Sequence, residues 1–327
     1  MSPVERSKRD VFDIIAVNVE TKIPKFQKAD QETQKFTFKL LAQALEDNPG
    51  AMKKIVAEVL KLTPDEQKML ADLLEKTTLS SIIKSARTVA NRLEFLAGLE
   101  ELIFDHKKSL LERDQLHKIL ENEAWVFDEQ FALAGSEKRL EEVLFIHLSK
   151  LGERTDRTSE PVLINDEKQG RVDLLLSKAA QIKPGHFEYL VVELKRPSKK
   201  IDNEVLGQVL GYASAVSNDE RFDKAKTSWK FIVVSNEIDE IARLQVNKNP
   251  TRPGILSEVA GLEVSVATWA EIITNAKARL EFYREQLNYE ASDEGIRQYL
   301  FETHERFLPT SYKEKELNEL EASLVSG

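Results

Sequence analysis

The chain of 327 residues contains no cysteine. Disulfide bonds and metal sites built from thiolates are therefore excluded, and a reducing compartment suits this composition. No stretch approaches the roughly 20 apolar residues of a membrane-spanning helix. The first ten residues, MSPVERSKRD, contain no apolar signal segment. We therefore expect a cytoplasmic protein with no membrane partner.

Several catalytic signatures are also missing. The chain has no glycine-rich loop of the GxxxxGK type, so we expect no nucleotide-driven motor. No arrangement of serine and histidine indicates nucleophilic catalysis. The histidines show no metal-ligand spacing; they are His106, His117, His147, His186 and His304.

The balance of charge is acidic. A formal net charge of -9 argues against a protein that coats nucleic acid through a global positive field. One local basic cluster has no acidic residue within it: Lys195, Arg196, Lys199 and Lys200. Such a short cluster is weak evidence for phosphate binding, because most clusters of this kind are solvated loops.

The first third of the chain has the apolar spacing of helices, from about Gln31 to Leu120. The sequence Thr63-Pro64-Asp65-Glu66 is typical of a helix start with a capping box. A longer amphipathic run, from Ser80 to about Leu120, predicts a connecting helix or a helix that packs on a partner chain. We expect residues 1–115 to form an all-α region that controls substrate access or assembly, in a homo-oligomer.

The remainder predicts an α/β domain over residues 116–290, followed by a helical tail over 291–327. We expect a further strand near Leu262 to Ala267 and a helix that begins at Trp269. The elements predicted before these are, in order, a helix over Ser136–Leu151, strands over Pro161–Ile164, Arg171–Ser177 and Phe187–Leu194, a helix over Asp202–Val216, and a strand over Trp229–Ser235.

Three charged residues interrupt or end the most strand-like segments. Asp173 lies in GRVDLLL, and Glu193 and Lys195 lie in EYLVVELKRP. Residues two apart in a strand share a face, so Glu193 and Lys195 point the same way. If the neighbouring strand presents Asp173 on that face, two carboxylates and an ammonium group meet there, as a Mg²⁺ site or as a buried ion pair. Because three charges are costly in apolar strands, we favour the metal site.

These residues resemble the PD-(D/E)xK nuclease superfamily, in which an aspartate in one strand is followed by ExK at the end of the next. Val172 occupies the position of the superfamily's proline, and Asp128 stands where glycine is expected after Trp125-Val126-Phe127. Gln208 and Tyr212 resemble the QxxxY motif of the RecB-like branch. The blocks ELKRP and GQVLGYASAV, together with the sequence from Glu112 to Leu133, resemble Shedu-type anti-phage defence proteins.

The resemblance implies a fold and a set of site residues. The fold would be a restriction-endonuclease-like core with the order α-β-β-β-α-β in a mixed sheet. Mg²⁺, for which Mn²⁺ could substitute, would be held by Asp173, Glu193 and Leu194. Lys195 would orient the attacking water, and Gln208 and Tyr212 would support that lysine and contact nucleic acid.

A further acidic residue often lies on the first core helix of that superfamily. Three glutamates compete for this position: Glu137, Glu141 and Glu142. Spacing puts the first two on one helical face, which disfavours Glu142. We prefer Glu137, which opens the run EKRLEEVL, and note that exposed glutamates paired with Lys138 or Arg139 would look the same.

The function expected from these features is a Mg²⁺-dependent DNA endonuclease of bacterial phage defence, with phage DNA as its substrate. A second possibility is a nuclease fold that binds nucleic acid ends or a partner protein without cutting. A third is a helical protein whose purpose is oligomerisation. The intact set of Asp173, Glu193 and Lys195 favours the enzyme.

Overall fold

The computed structural model describes residue 58 and residues 61–151, 162–164, 168–169, 171–178, 186–246, 252–259 and 261–326. The chain divides into two compact units, Met1–Lys84 and Ser85–Gly327. The predicted divisions at residues 115 and 290 both fall inside the second unit. Gln31, at which the predicted helical pattern begins, lies outside the described residues.

The predicted capping box is confirmed at the start of α1, Pro64–Leu74. Glu66 Oε2 accepts hydrogen bonds from the Thr63 amide at 2.7 Å and from its hydroxyl at 2.8 Å. In return, the Glu66 amide donates to Thr63 Oγ1 at 3.3 Å. These bonds satisfy amide groups that a helix start leaves without partners.

The prediction of one long helix to Leu120 is wrong. Helix α2, Leu79–Phe104, ends early, and the chain continues through a π-helical turn, Glu112–His117, into the short helix α3, Lys118–Asn122. Leu102, Leu110 and Ile119 are all buried in one core cluster. Because the chain turns between them, both helical segments bury apolar side chains in that cluster, which a straight helix would not allow.

The centre of the second unit is a six-stranded mixed sheet with the order β1-β4-β5-β6-β8-β7. Its β5–β6 and β6–β8 pairs are parallel, and its β1–β4, β4–β5 and β7–β8 pairs are antiparallel. The strands are β1 Phe131–Arg139, β4 Arg171–Lys178, β5 Phe187–Leu194, β6 Thr227–Ser235, β7 Ile255–Val259 and β8 Leu262–Thr268.

The helices around this sheet follow the predicted α/β alternation in part. Helix α5 begins after Asp202, whose side chain accepts a hydrogen bond from the Val205 amide at 2.9 Å. Helix α7 begins with a capping box at Thr268 and Glu271. The helices are α4 Leu140–Leu151, α5 Asn203–Asn218, α6 Glu240–Gln245, α7 Trp269–Leu287, α8 Asp293–His304 and α9 Thr310–Ser326.

Two predicted elements need correction. Residues from Ser136 to Arg139 belong to strand β1, so the helix begins at Leu140. The predicted strand Pro161–Ile164 survives only as β2, Leu163–Ile164, which pairs with β3, Lys168–Gln169, in a separate two-stranded sheet. The first strand of the large sheet therefore precedes the helix, and the order predicted for the core, α-β-β-β-α-β, is not the order of this sheet.

Two hydrophobic clusters contain the alternating side chains of the sheet. Face A includes Leu176 and Val192, together with residues of α2 and α7. Face B includes Tyr189, Val191 and Phe231, together with residues of α5. Since side chains alternate along a strand, Glu193 and Lys195 lie on the same face as Tyr189 and Val191, which is face B.

Candidate active site

Asp173 and Glu193 meet at the end of the β4–β5 ladder. The antiparallel register pairs Leu174 with Val192, and one further step places Asp173 opposite Glu193. Residues directly opposite in neighbouring strands have side chains on the same face. The structure therefore brings together the two carboxylates that the sequence predicted to lie together.

The amide of Leu194 fixes Asp173 in place. The Lys195 amide donates to Val234 of β6 at 3.0 Å, so the preceding amide points to the opposite side, toward β4. There, the Leu194 amide donates to Asp173 Oδ2 at 2.7 Å. The carbonyl of a strand residue points to the same side as its amide, so Leu194 also directs its carbonyl oxygen toward Asp173.

Lys195 forms a compact polar group with Glu193 and Gln208. Lys195 Nζ donates to Glu193 Oε1 at 2.6 Å and to Gln208 Oε1 at 3.0 Å. Gln208 Nε2 donates to the same Glu193 oxygen at 2.7 Å. An ammonium group has three protons to donate, so one remains after these two bonds.

Gln208 and Tyr212 connect this group to strand β4. They lie four residues apart on helix α5, where side chains at that spacing are neighbours. Gln208 Nε2 donates to the Tyr212 hydroxyl at 2.7 Å, and that hydroxyl donates to the Arg171 carbonyl at 2.7 Å. Burial raises the pKa of Tyr212, so the phenol stays protonated and retains its donor. Of the two residues predicted from the QxxxY motif, Gln208 therefore contacts Lys195 directly, and Tyr212 contacts Gln208.

All three charged groups are nearly inaccessible to solvent. The exposed fractions of Asp173, Glu193 and Lys195 are 9%, 3% and 7%. Burial raises the pKa of Asp173, an effect opposed by the Leu194 amide and by the positive charge of Lys195. Burial and the nearby Asp173 charge raise the pKa of Glu193 to about 8, against the attraction of Lys195. Two carboxylates therefore share one ammonium group, and the ionisation of both at once is unfavourable unless a further cation binds.

The oxygens at this site fit a hard cation. Glu193 Oε2 is buried and has no hydrogen-bond partner, and no described residue donates to Asp173 Oδ1. Within the described ranges, no group of three or more histidine, aspartate or glutamate side chains is arranged to hold a metal. Mg²⁺ commonly uses one or two carboxylates and completes its coordination with water and phosphate oxygens. The Asp173 and Glu193 carboxylates and the Leu194 carbonyl are a donor set of that kind.

Glu137 does not lie on a helix, contrary to the prediction. It belongs to β1, where its φ of 49° is in the left-handed region. Its side chain lies 3.3 Å from Arg171 Nη2 and 3.8 Å from His117 Nδ1. The register of β1 against β4 places Glu137 beside Asp173, so it borders the site while forming an ion pair with Arg171.

The competing glutamates are in the first turn of α4. Glu142 accepts hydrogen bonds from the Arg139 amide at 2.9 Å and from Lys138 at 3.2 Å, so it stabilises the helix start. Glu141 lies 4.0 Å from Arg139 and has one buried oxygen without a partner. Neither glutamate forms a described hydrogen bond with Asp173, Glu193 or Lys195.

Two further residues border the site without having been predicted. The positive charge of His117 lowers the pKa of Asp173, and the negative charge of Glu112 raises the pKa of both Asp173 and Glu193. His117 is fully buried, its Nε2 lies 2.9 Å from Ser136 Oγ, and its Nδ1 has no hydrogen-bond partner. No spacing motif marks either residue, because both come from the π-helical turn after α2.

The predicted basic cluster is divided between different roles. Lys195 points into the site, and Arg196 donates from Nη2 to the Lys108 carbonyl at 3.0 Å. Lys200 lies 2.8 Å from Glu237 in an exposed ion pair. Lys199 is exposed. The four residues therefore do not form a single phosphate-binding surface by themselves.

No family model, curated protein or solved structure matches this chain. None of the helices in the described ranges is long and apolar enough to cross a membrane.

Proposed function

We propose that the protein is a Mg²⁺-dependent nuclease that hydrolyses phosphodiester bonds at Asp173, Glu193 and Lys195. One observation carries the proposal: two buried carboxylates lie beside a single lysine, and Glu193 Oε2 has no partner. A buried acceptor left without a partner is costly, and a bound cation would remove that cost. Burial and the Asp173 charge raise the pKa of Glu193 to about 8, and a bound cation would favour the ionised form of both carboxyl groups.

Each residue of the group has a separate task. Asp173 and Glu193, with the Leu194 carbonyl, hold the cation. Mg²⁺ bound there would offset the charge that develops on a phosphodiester and lower the pKa of a bound water. Lys195 uses two of its protons on Glu193 and Gln208, and its third is available to orient water or a phosphate oxygen.

Gln208 and Tyr212 are positioning residues. Gln208 holds Lys195 and Glu193 through separate atoms, which fixes the distance between the ammonium and carboxylate groups. Tyr212 ties Gln208 to the backbone of β4, two residues before Asp173. This connection keeps the strand with the aspartate and the strand with the glutamate in register at the site.

The superfamily, the substrate and the biological role that we propose rest on the sequence motifs. Asp173, Glu193, Lys195, Gln208 and Tyr212 resemble the PD-(D/E)xK superfamily and its RecB-like branch, and the mixed sheet is compatible with that fold. The longer blocks resemble Shedu-type proteins, so we propose phage DNA as the substrate, anti-phage defence as the role and a homo-oligomer as the working form.

A second candidate function is a nuclease fold that binds nucleic acid without cutting it. The observation that favours it is the pairing of Lys195 with Glu193 at 2.6 Å, which is also the geometry of a structural ion pair. The two functions differ in one measurable respect. A binding module would hold nucleic acid with or without Mg²⁺ and would never release cleaved product.

The deciding experiment measures cleavage of supercoiled plasmid, linear duplex and single-stranded DNA with Mg²⁺, with Mn²⁺ and with excess chelator. We expect cleavage with either metal and none with chelator. Asp173→Asn should reduce the rate by about 1000-fold, because electrophilic stabilisation is worth several kcal/mol.

The matched control for that experiment is Asp223→Asn, which removes the same charge from an aspartate paired with Lys226 at 3.1 Å. This variant should cut at the rate of the unmodified protein. Cleavage that persists in chelator, or an Asp173→Asn protein as active as the control, would rule out metal-dependent hydrolysis at this site.

A further inference from the structure

We propose that a basic rim formed by Lys107, Lys108, Arg113 and Lys199 binds the sugar-phosphate backbone of nucleic acid beside the candidate active site. The inference deepens the proposed function and rests on it. It joins two segments far apart in the sequence, one after α2 and one after β5.

Two hydrogen bonds hold these segments together, and both involve Arg196. Its side chain donates from Nη2 to the Lys108 carbonyl at 3.0 Å. Its amide donates to Glu112 Oε2 at 2.8 Å. Lys108 is thereby fixed beside the residue that follows Lys195, and Arg113 is adjacent to the bonded glutamate. Arg196 therefore connects the two segments that carry the rim residues.

A turn places Lys199 beside the same contact. The Lys199 amide donates to the Arg196 carbonyl at 2.8 Å. Lys107 lies near Glu237, because its charge is among those that lower the pKa of that glutamate, and Glu237 is paired with Lys200 at 2.8 Å. The four rim residues therefore lie around Arg196 and the carboxyl ends of β5 and β6.

The side chains of the rim are available to a ligand. Lys107, Lys108, Arg113 and Lys199 are all exposed. None of them forms an ion pair with the residues that the structure describes, in contrast to Lys200. Two carboxylates near the rim are already engaged: Glu237 by Lys200, and Glu112 by the Arg196 amide.

The positive charge of the rim indicates the kind of ligand that it binds. The chain carries a net charge of -9, so a general attraction to polyanions is not expected. A local group of unpaired cations beside two metal-binding carboxylates instead matches a phosphodiester backbone, of which one phosphate enters the site and its neighbours lie on the rim. Lysine and arginine contacts to phosphates bind without reading the base sequence.

The test measures the binding of labelled duplex and single-stranded DNA by fluorescence anisotropy at several salt concentrations. The protein carries Asp173→Asn throughout, so cleavage does not interfere. The rim variant adds Lys107→Gln and Lys108→Gln. The control variant instead adds Lys224→Gln and Lys230→Gln, two exposed lysines in the loop before β6 and on that strand.

The rim variant should bind more weakly, and its affinity should depend less steeply on salt. Each lost duplex contact lowers the slope of log affinity against log salt by about 0.9, so the affinity lost between 50 and 200 mM salt should shrink by about tenfold. The control variant should match the parent. A preference between the two DNA forms identifies the substrate, and a single-strand contact lowers the slope by about 0.7.

Two outcomes would contradict the proposal that the rim binds nucleic acid. One is a rim variant that binds as the control does, and the other is a parent that binds neither form of DNA. Because binding is measured without cleavage, the two proposals can fail separately. A protein that never cuts but binds through Lys107 and Lys108 retains the rim and loses the nuclease assignment.

Discussion

At the scale of single residues, the buried carboxyl group of Asp173 loses its proton less readily than an exposed one does. Burial raises its pKa, and the Leu194 amide and Lys195 offset this only in part. The folded protein therefore holds the Asp173 proton more tightly than the unfolded chain does. The free energy of unfolding falls as the pH rises from the ordinary aspartate pKa through the raised value. Glu193 behaves in the same way between its ordinary value of 4.5 and about 8.

Asp173→Asn should therefore stabilise the metal-free protein. The amide retains an oxygen to accept the Leu194 hydrogen bond and removes the uncompensated charge, so we expect a gain of about 1–3 kcal/mol at pH 8. The gain should be smaller at pH 5, where Glu193 is protonated and the repulsion is already relieved. Urea unfolding at both pH values, with chelator present, measures it.

Asp223→Asn is the control for this prediction, and its sign is opposite. A hydrogen bond from Lys226 lowers the pKa of Asp223, so its charged form contributes stability that is present above the ordinary pKa. The exchange should leave the protein unchanged or slightly less stable. If Asp173→Asn loses as much stability as the control does, the charge of Asp173 does not destabilise the folded protein.

At the scale of elements, helix α5 supplies Gln208 and Tyr212 to the end of face B at which the charged residues of the site lie. Tyr212→Phe would leave the Arg171 carbonyl without its donor and would remove an acceptor from Gln208. We expect a loss of about 1 kcal/mol in stability and slower cleavage, because Lys195 would be held less firmly. The binding of DNA should be unchanged, since the rim is not altered.

Tyr189→Phe is the matched control for Tyr212→Phe. Tyr189 is fully buried on the same face, and its hydroxyl lies 3.4 Å from His147 Nδ1, away from the two carboxylates. Its loss should lower stability without slowing cleavage. If both variants slow cleavage equally, the effect of Tyr212 is general destabilisation, and its positioning role is excluded.

The elements differ in how well their sequence predicts them. Phe187–Leu194 was predicted with the bounds that the structure has, because its apolar run is short, rich in valine and ended by charges. Strand β1 was missed because FALAGSEKR lacks β-branched residues and ends in charges that also suit a helix start. Its place at the edge of the sheet comes from pairing with β4, which is a long-range contact that no local pattern encodes.

The residues of the site also differ in whether the local sequence predicts their position. Spacing within strands and helices predicted that Glu193 would join Lys195 and that Gln208 would join Tyr212, because residues at those spacings share a face. It did not predict Glu112 or His117, since their approach depends on how the chain turns after Phe104. It placed Glu137 on the wrong kind of element for the same reason that it missed β1.

At the scale of the whole molecule, helix α8, the first helix of the predicted C-terminal tail, is attached to the core through Glu123. The carboxylate of Glu123, 5% exposed, accepts hydrogen bonds from Trp125 Nε1 at 2.6 Å and from the Tyr299 hydroxyl at 2.7 Å. His304 Nε2 lies 3.1 Å from the same group. The predicted tail from residue 291 therefore packs into the second unit and is not a free extension.

Glu123→Gln should destabilise the protein by about 1–3 kcal/mol, because the amide nitrogen cannot accept the bonds that a carboxylate oxygen accepts. Glu302→Gln is the control: Glu302 is exposed on α8 and accepts a hydrogen bond from Gln298 at 2.7 Å, so its exchange should have little effect. Thermal unfolding followed by circular dichroism compares the two. Equal melting temperatures would mean that the Glu123 contacts do not hold the tail in place.

The boundary between the helical region and the rest of the chain can be tested by truncation. The predicted division at residue 115 would remove all of α2, whose residues Phe95, Leu96, Leu99, Leu102 and Ile103 are fully buried in the face A core. Each contributes about 1.5–3 kcal/mol through burial, and together they equal the whole stability of a typical domain, about 5–15 kcal/mol.

A fragment beginning at Gln115 should therefore fail to fold, whereas one beginning at Leu79, which keeps α2 intact, should fold and retain the site. Circular dichroism and gel filtration distinguish the two fragments, and cleavage by the longer one reports on the site. If the shorter fragment unfolds cooperatively with the same melting temperature as the longer one, α2 is not part of the core of this domain. If only the longer fragment folds and its activity or assembly differs from the full chain, control of the site lies in the residues before Leu79.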